Sequence, residues 1–157
     1  MPKHTYRALV TWKGNKGEGT KSYRGYDRHH TVSIPGKPDL QCSSDPAFHG
    51  DQSKYNPEEL LVSSLSGCHM LWYLHLCAEN GINVTTYEDH ASGTMTENGS
   101  VGFFSEVVLK PVVTITDIRH LRLAMELHSE ANKRCFIANS CNFPVRHEAV
   151  CNAGSVI

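Results

Sequence analysis

The sequence predicts an α+β fold: short strands, one long apolar helix, a hairpin, a second helix and a last strand. Three observations carry this expectation. β-Branched and aromatic residues gather in short stretches near both ends of the chain and in its middle. Residues 56–80 give one continuous helical signal with a start and a stop. Helix-spaced apolar residues then recur only once more, over 117–132.

The elements follow in chain order. His4 to Trp12 is rich in β-formers and reads as a strand. Gly14, Gly17, Gly19 and Gly25 mark turns linking short strands. His29 to Ile34 is a second strand, ended by Pro35-Gly36, and residues 36–55 read as a long polar loop. Asn56 is an N-cap candidate, Pro57 sits at the first helical position, and Glu58 and Glu59 suit the positive end of a helix dipole. Asn80-Gly81 stops that helix. Its apolar residues, among them Leu60, Leu65, Leu71 and Trp72, lie on nearly every side, which predicts a place inside a core or a subunit interface. Ile82 to Met95 reads as a strand, turning at Glu97-Asn98-Gly99 into a partner over Phe103 to Ile115, with Pro111 at an edge or bulge. Asp117 to Asn132 is the second helix, with Leu121, Ala124, Met125 and Leu127 on one face. Cys135 opens a short segment where a helix could start, and Phe143 to Val150 is the last strand.

At 157 residues the chain suits a single domain over 1–157. Its formal charge is −1, with acidic and basic residues mixed, so nothing supplies the basic patch that nucleic acid or an anionic membrane requires. The start, MPKHTYRALV, has no apolar core of a secretory signal. The longest apolar run, Leu60 to Ala78, is broken by Ser63, Ser64, Ser66, His69 and His75, so no membrane span is expected. A cytoplasmic location follows as the expectation.

Six cysteines, at 42, 68, 77, 135, 141 and 151, are too irregular for a disulfide scaffold. In a reducing compartment they are inert buried thiols, metal ligands or redox-active thiols. Cys68, His69, His75 and Cys77 share one helix, and Cys135, Cys141 and His147 come later. The short Cys-x-x-Cys and His-x-x-x-His pairs of zinc sites are missing, so no metal is expected. His69 beside Cys68 either tunes that thiol or points into polar surroundings. Lys133-Arg134 before Cys135 favours a thiolate there, as would a helix start. Glu58 alone is explained by the helix dipole, and Arg24 and Arg28 by an exposed segment.

Two motifs go further. NPEELLVSSLSGCHMLWYL resembles the central-helix motif of the OsmC/Ohr family, with Glu58 as its first glutamate and Cys68 as its reactive cysteine. HSEANKRCFIANSCNFPV looks like the family's second motif and places the second cysteine at Cys135. The likeness extends through GTKSYRGYDRHH and covers nearly the whole chain.

The resemblance implies an OsmC-like fold, with a long buried central helix against an antiparallel sheet in an intertwined homodimer. It implies a cysteine-based peroxidase acting on organic hydroperoxides. Cys68 would become a sulfenic acid, and Cys135 would resolve it as a Cys68–Cys135 disulfide. An external dithiol, such as a lipoyl or thioredoxin-type partner, would then reduce it, with no resident cofactor. Arg28, or alternatively Arg24, matches the arginine that binds the thiolate, and Glu58 the glutamate that orients it. Cys141 is close enough in sequence to Cys135 to compete as resolving thiol. The departure from the Ohr pattern near the N-terminus points to a more divergent OsmC-like branch. The alternative is a non-catalytic OsmC-like protein binding a small hydrophobic ligand at the dimer interface.

Overall fold

A computed structural model describes residues 1–154; residues 155–157, the end of the expected domain, lie outside the described residues. The chain divides into two compact units, Met1–Leu60 and Leu61–Ile157.

The first unit is built on an antiparallel sheet, β1 (Leu9–Trp12), β2 (His30–Ser33) and β3 (Leu40–Cys42), in that order. Val10 pairs with Val32, and Thr31 with Gln41. The glycine-rich segment folds back on the strand: Trp12 Nε1 donates to the Asp27 carbonyl at 2.8 Å, and the Asp27 amide to the Gly14 carbonyl at 2.9 Å. The polar loop expected over residues 36–55 is corrected, because it holds β3 and a 3-10 turn at Pro46–Phe48. Three residues are too few for a readable alternation, and β3 owes its ladder to β2. The turn is fixed by Asp45, whose carboxylate accepts the Ala47 amide at 2.7 Å.

Helix α1 (Pro57–Glu79) starts in this unit with a reciprocal cap. The Asn56 side chain accepts the Glu59 amide at 2.9 Å, and the Glu59 carboxylate accepts the Asn56 amide at 3.1 Å. At its other end, Gly81 takes a φ of 68°, the left-handed turn that glycine adopts freely. The Ile82 amide then donates to the Cys77 carbonyl at 2.8 Å and the Gly81 amide to Ala78 at 3.2 Å, closing the helix.

The second unit carries two three-stranded sheets. After α1 come β4 (Val84–Asp89), β5 (Ser92–Asn98), β6 (Val101–Leu109) and β7 (Pro111–Ile115). Then follow α2 (Leu121–Arg134), β8 (Val145–His147) and β9 (Val150–Ala153). The sheet orders are β4-β7-β9 and β5-β6-β8. Each expected long strand is therefore two: the chain changes sheet after Asp89, after Leu109 and after His147. Asp89 fastens the changeover, accepting the Lys110 amide and the Ser66 hydroxyl, each at 2.6 Å. Pro111 opens the central strand β7 rather than lying on an edge, and the first residue of a strand tolerates proline. The antiparallel pairs β5–β6 and β4–β7 are each extended by a parallel neighbour, β8 and β9.

The core has two centres. Tyr73, Leu76, Cys77, Ile82, Val113, Ile115, Ala124, Leu127 and Ala131 form one; Leu65, Val107 and Leu109 form the other. From α1 the buried side chains are Leu65, His69, Tyr73, Leu76 and Cys77, a single helical face. The expectation of an all-round buried helix is corrected within this chain, since Leu71 is 65% exposed. By length and composition alone α1 could also cross a membrane, contrary to expectation, although its inner face is committed to this core. Gly93 lets the helix lie close: a Cβ there would come within 2.7 Å of both Val62 and Phe104. Asp117 caps a 3-10 turn (Ile118–His120) that leads into α2. The inner face of α2 is Ala124, Leu127, His128 and Ala131, while Met125, expected there, is exposed.

Candidate thiol site

Cys68 is half-buried on α1, and Cys135 is the C-cap residue of α2, where ψ of 110° takes the chain out of the helix. The two thiols lie near enough for Cys68 to raise the pKa of Cys135, and both are free. The expected helix start at Cys135 is corrected. It stands at the C-terminal end of α2, where the dipole disfavours a negative charge. It is also 1% exposed. Burial, and then the neighbouring Cys68 thiol, push its thiol up to about 11. The Ala138 amide donates to its sulfur at 3.4 Å, and together with the Ile137 amide acts in the opposite, weaker sense. Cys135 therefore keeps its proton at neutral pH.

The thiol pair has an aromatic neighbourhood. Trp72 follows Cys68 by one helical turn, and Phe136 follows Cys135. Their rings meet edge-on at 5.6 Å, and the Arg134 guanidinium lies 5.9 Å from the Trp72 ring centre. Leu71, Trp72 and His75 line a shallow apolar recess on this side of α1. Cys141 donates to the Ile137 carbonyl at 3.3 Å and packs against the Leu65 core. Cys77 lies in the other core, where burial raises its pKa and a Tyr73 hydrogen bond opposes that rise.

Arg28 and Glu58 belong to the first unit. The Arg28 guanidinium donates to the Tyr23 and Tyr26 carbonyls, each at 2.6 Å, and stacks over both rings, at 4.6 and 4.1 Å. It lines a polar pocket with Asp27, His29, Ser43, Asp51 and Lys54, the last two joined as an ion pair. Arg24 is exposed, and Glu58 is half-buried in the first turn of α1.

Sequence reasoning missed a buried polar interior beside the thiols. His69, expected to tune Cys68 or to face polar surroundings, is fully buried, as is His128. His69 Nε2 and His128 Nδ1 share a hydrogen bond of 3.0 Å. His128 Nε2 is 3.8 Å from Cys151 Sγ, which is 3.7 Å from the Tyr73 hydroxyl. The His128 ring stacks on Tyr73 at 3.8 Å, and His147 lies 5.7 Å from His69. Burial lowers His69 to about 4 and His128 to about 3, so both rings are neutral. One signal could have found His128: it falls on the helical period of Ala124, Leu127 and Ala131. Among the described residues, no three His, Cys, Asp or Glu side chains are grouped to hold a metal ion.

A family model described as OsmC-like protein matches residues 50–149. An OsmC-like protein of unknown function from Vibrio cholerae is 31% identical, with a TM-score of 0.86 over 94% of this chain and 100% of that one. An organic hydroperoxide resistance protein from Elizabethkingia anophelis shares the fold at 15% identity, with a TM-score of 0.67 over 98% of this chain and 100% of that one. The organic hydroperoxide resistance protein OhrB of Bacillus subtilis does so at 22% identity, with a TM-score of 0.61 over 92% and 98%. No curated protein matches the sequence.

Proposed function

The chain belongs to the OsmC-like protein family, and on that premise we propose that it is a thiol peroxidase for organic hydroperoxides, with Cys68 attacking and Cys135 resolving. The observation that carries this reading is that Cys68 on α1 lies near enough to Cys135 at the end of α2 to raise its pKa. Their environments differ as the roles require. Cys68 is partly open to solvent, while Cys135 is buried and protonated until a sulfenic acid forms beside it.

In the proposed reaction the Cys68 thiolate attacks one peroxide oxygen of ROOH. The O–O bond breaks, the alcohol leaves with a proton, and sulfur is oxidised to Cys68–SOH. The Cys135 thiol then attacks that sulfur, the S–S bond forms and water leaves. Two thiol–disulfide exchanges with an external dithiol, of lipoyl or thioredoxin type, return both cysteines and need no resident cofactor. Arg28 is assigned to stabilise the Cys68 thiolate and Glu58 to orient Arg28, on the family spacing. The Trp72–Phe136 contact and the adjacent recess favour a carbon-bearing peroxide over hydrogen peroxide. A cytoplasmic location and a homodimer, with a second copy over the exposed side of α1, belong to the same proposal.

The test is one equivalent of cumene-type hydroperoxide on the reduced protein, followed by intact mass and peptide mapping. A Cys68–Cys135 link is expected, with steady turnover on adding dithiol. Cys68→Ser should lower turnover to that of buffer, and Cys77→Ser should leave it in place. Free thiols after peroxide would reject the peroxidase. The recess would then favour the second reading, a small hydrophobic ligand held without chemistry, whose binding Cys68→Ser preserves.

A further inference from the structure

Helices α1 and α2 meet at two neighbouring polar points. His128 precedes Cys135 by two turns, so both sit on the side of α2 that faces α1. On α1, Cys68 and His69 are consecutive. One pair, His69–His128, is a hydrogen bond between two fully buried rings; the other is Cys68 with Cys135, whose pKa it raises.

The histidine contact is directional where the rest of the interface is not. The two rings are nearly parallel, 6° apart, and one must donate while the other accepts. His128 is held in addition by the Tyr73 ring and by Cys151 on β9, so it is a fixed point for His69 to meet. Around it, Tyr73 and Leu76 pack against Ala124, Leu127 and Ala131, contacts that tolerate small slides and rotations. Disulfide formation does not tolerate them. A rotation of α1 by about 20° carries a sulfur about 5 Å from the helix axis through nearly 2 Å. The Cβ–Cβ window for an unstrained disulfide is about 1 Å wide.

We propose that His69 and His128 are the positioning pair of the dithiol: their bond sets how α1 is rotated on α2 and so holds Cys68 within bonding reach of Cys135. This rests on the assignment of Cys68 and Cys135 as partners in the proposed reaction. It adds two residues that touch neither peroxide nor reductant.

The experiment uses the full chain in two measurements. One is the rate at which dibromobimane, a short bis-alkylating reagent, bridges Cys68 and Cys135 in the reduced protein. The other is the equilibrium of the Cys68–Cys135 disulfide against a dithiothreitol redox buffer. His69→Leu and His128→Leu are each expected to lower both by about tenfold, the worth of one buried hydrogen bond. Mono-alkylation of Cys68 in a Cys135→Ser background should change by less than about twofold, since only relative placement is lost. His69→Gln and His128→Asn put an amide nitrogen where the bonded ring nitrogen was, and are expected to restore bridging.

Folded leucine variants that bridge and oxidise within about twofold of wild type would overturn the proposal. Should the leucine variants fail to fold, His69→Asn replaces them. Its amide falls short of His128, so the same loss is expected and the same retention overturns. If peroxide never links the thiols of the wild type while bridging is fast and lost in the leucine variants, the positioning stands and the peroxidase fails. If all variants bridge equally and peroxide forms the disulfide in each, the peroxidase stands and the positioning fails.

Discussion

Helix α1 carries two cysteines in opposite circumstances. Cys68 and Cys77 are nine residues apart, which at 100° per residue places them on opposite sides of the helix. Cys68 is half open and neighbours a second thiol, Cys135. Cys77 is 1% exposed, packed among Tyr73, Leu76 and Ile82, and its pKa is raised chiefly by burial. The residue type is the same and the helix is the same. The chemistry available to each thiol is decided by depth: Cys77 lies inside the core, and Cys68 at its margin beside the end of α2.

The inner side is also where polar groups have been taken out of water, and acid is the strongest way to break it. In the folded chain His69 titrates near 4 and His128 near 3, both held down first by burial. The unfolded chain leaves imidazoles near 6.5, so below that pH it binds more protons than the folded one. The stability that rests on neutral rings is complete above pH 6.5 and drains as pH falls through 6.5 toward 4. Its slope reaches at most about 2.7 kcal/mol per pH unit for two protons. His147 on β8, also lowered by burial, adds to the loss, while Asp89 on β4 opposes it at His69. Urea midpoints measured from about pH 7.5 down to about pH 5 should fall steeply, and His69→Gln should flatten the fall. A midpoint independent of pH over that range would mean that the inner face is wetter than the structure has it.

A smaller effect compares the two sides through one residue type. Leu65 is fully buried against Val107 and Leu109; Leu71 is 65% exposed. Leu65→Ala should cost about 3 kcal/mol, transfer and cavity together. Leu71→Ala should stay within about 0.5 kcal/mol in the monomer. Chemical denaturation reads both. A large cost at Leu71 that grows with protein concentration would show a second copy covering the outer side.

These contrasts explain what the sequence could convey. The long helix was legible because its start and stop are local: Asn56 and Glu59 cap each other, and Gly81 supplies the positive φ. The proposed thiol pair, Cys68 and Cys135, was singled out only by the likeness of two motifs to a family, since the residues alone read as ordinary thiols. The sheet changes were not, because Asp89 fixes them through Lys110 and Ser66, contacts that no alternation pattern encodes. Composition did not divide α1 into its two sides, since apolar residues on all sides do not say which side the chain itself covers. The burial of His69 was not legible, because its polar partner is His128, 59 residues away. Cys135 was read as opening a segment where a helix could start, whereas it caps the end of α2.

Tyr73→Phe separates the two possible reasons for an inert Cys77. The Tyr73 hydroxyl lies 3.7 Å from Cys151 Sγ and also acts on Cys77, where it lowers the thiol pKa against the larger effect of burial. Removing it should cost about 1 kcal/mol, since the ring stays stacked on His128 and only the hydroxyl contacts go. If burial is what silences Cys77, the native-state rate of its alkylation should not rise, because the one group assisting its ionisation has been removed. Cys68, on the far side of the helix, should alkylate as in the wild type. Faster labelling of Cys77 in a variant of nearly unchanged stability would locate its inertness in the Tyr73 contact instead, and the division of α1 into a reactive and a silent side would rest on one hydroxyl rather than on exposure to solvent.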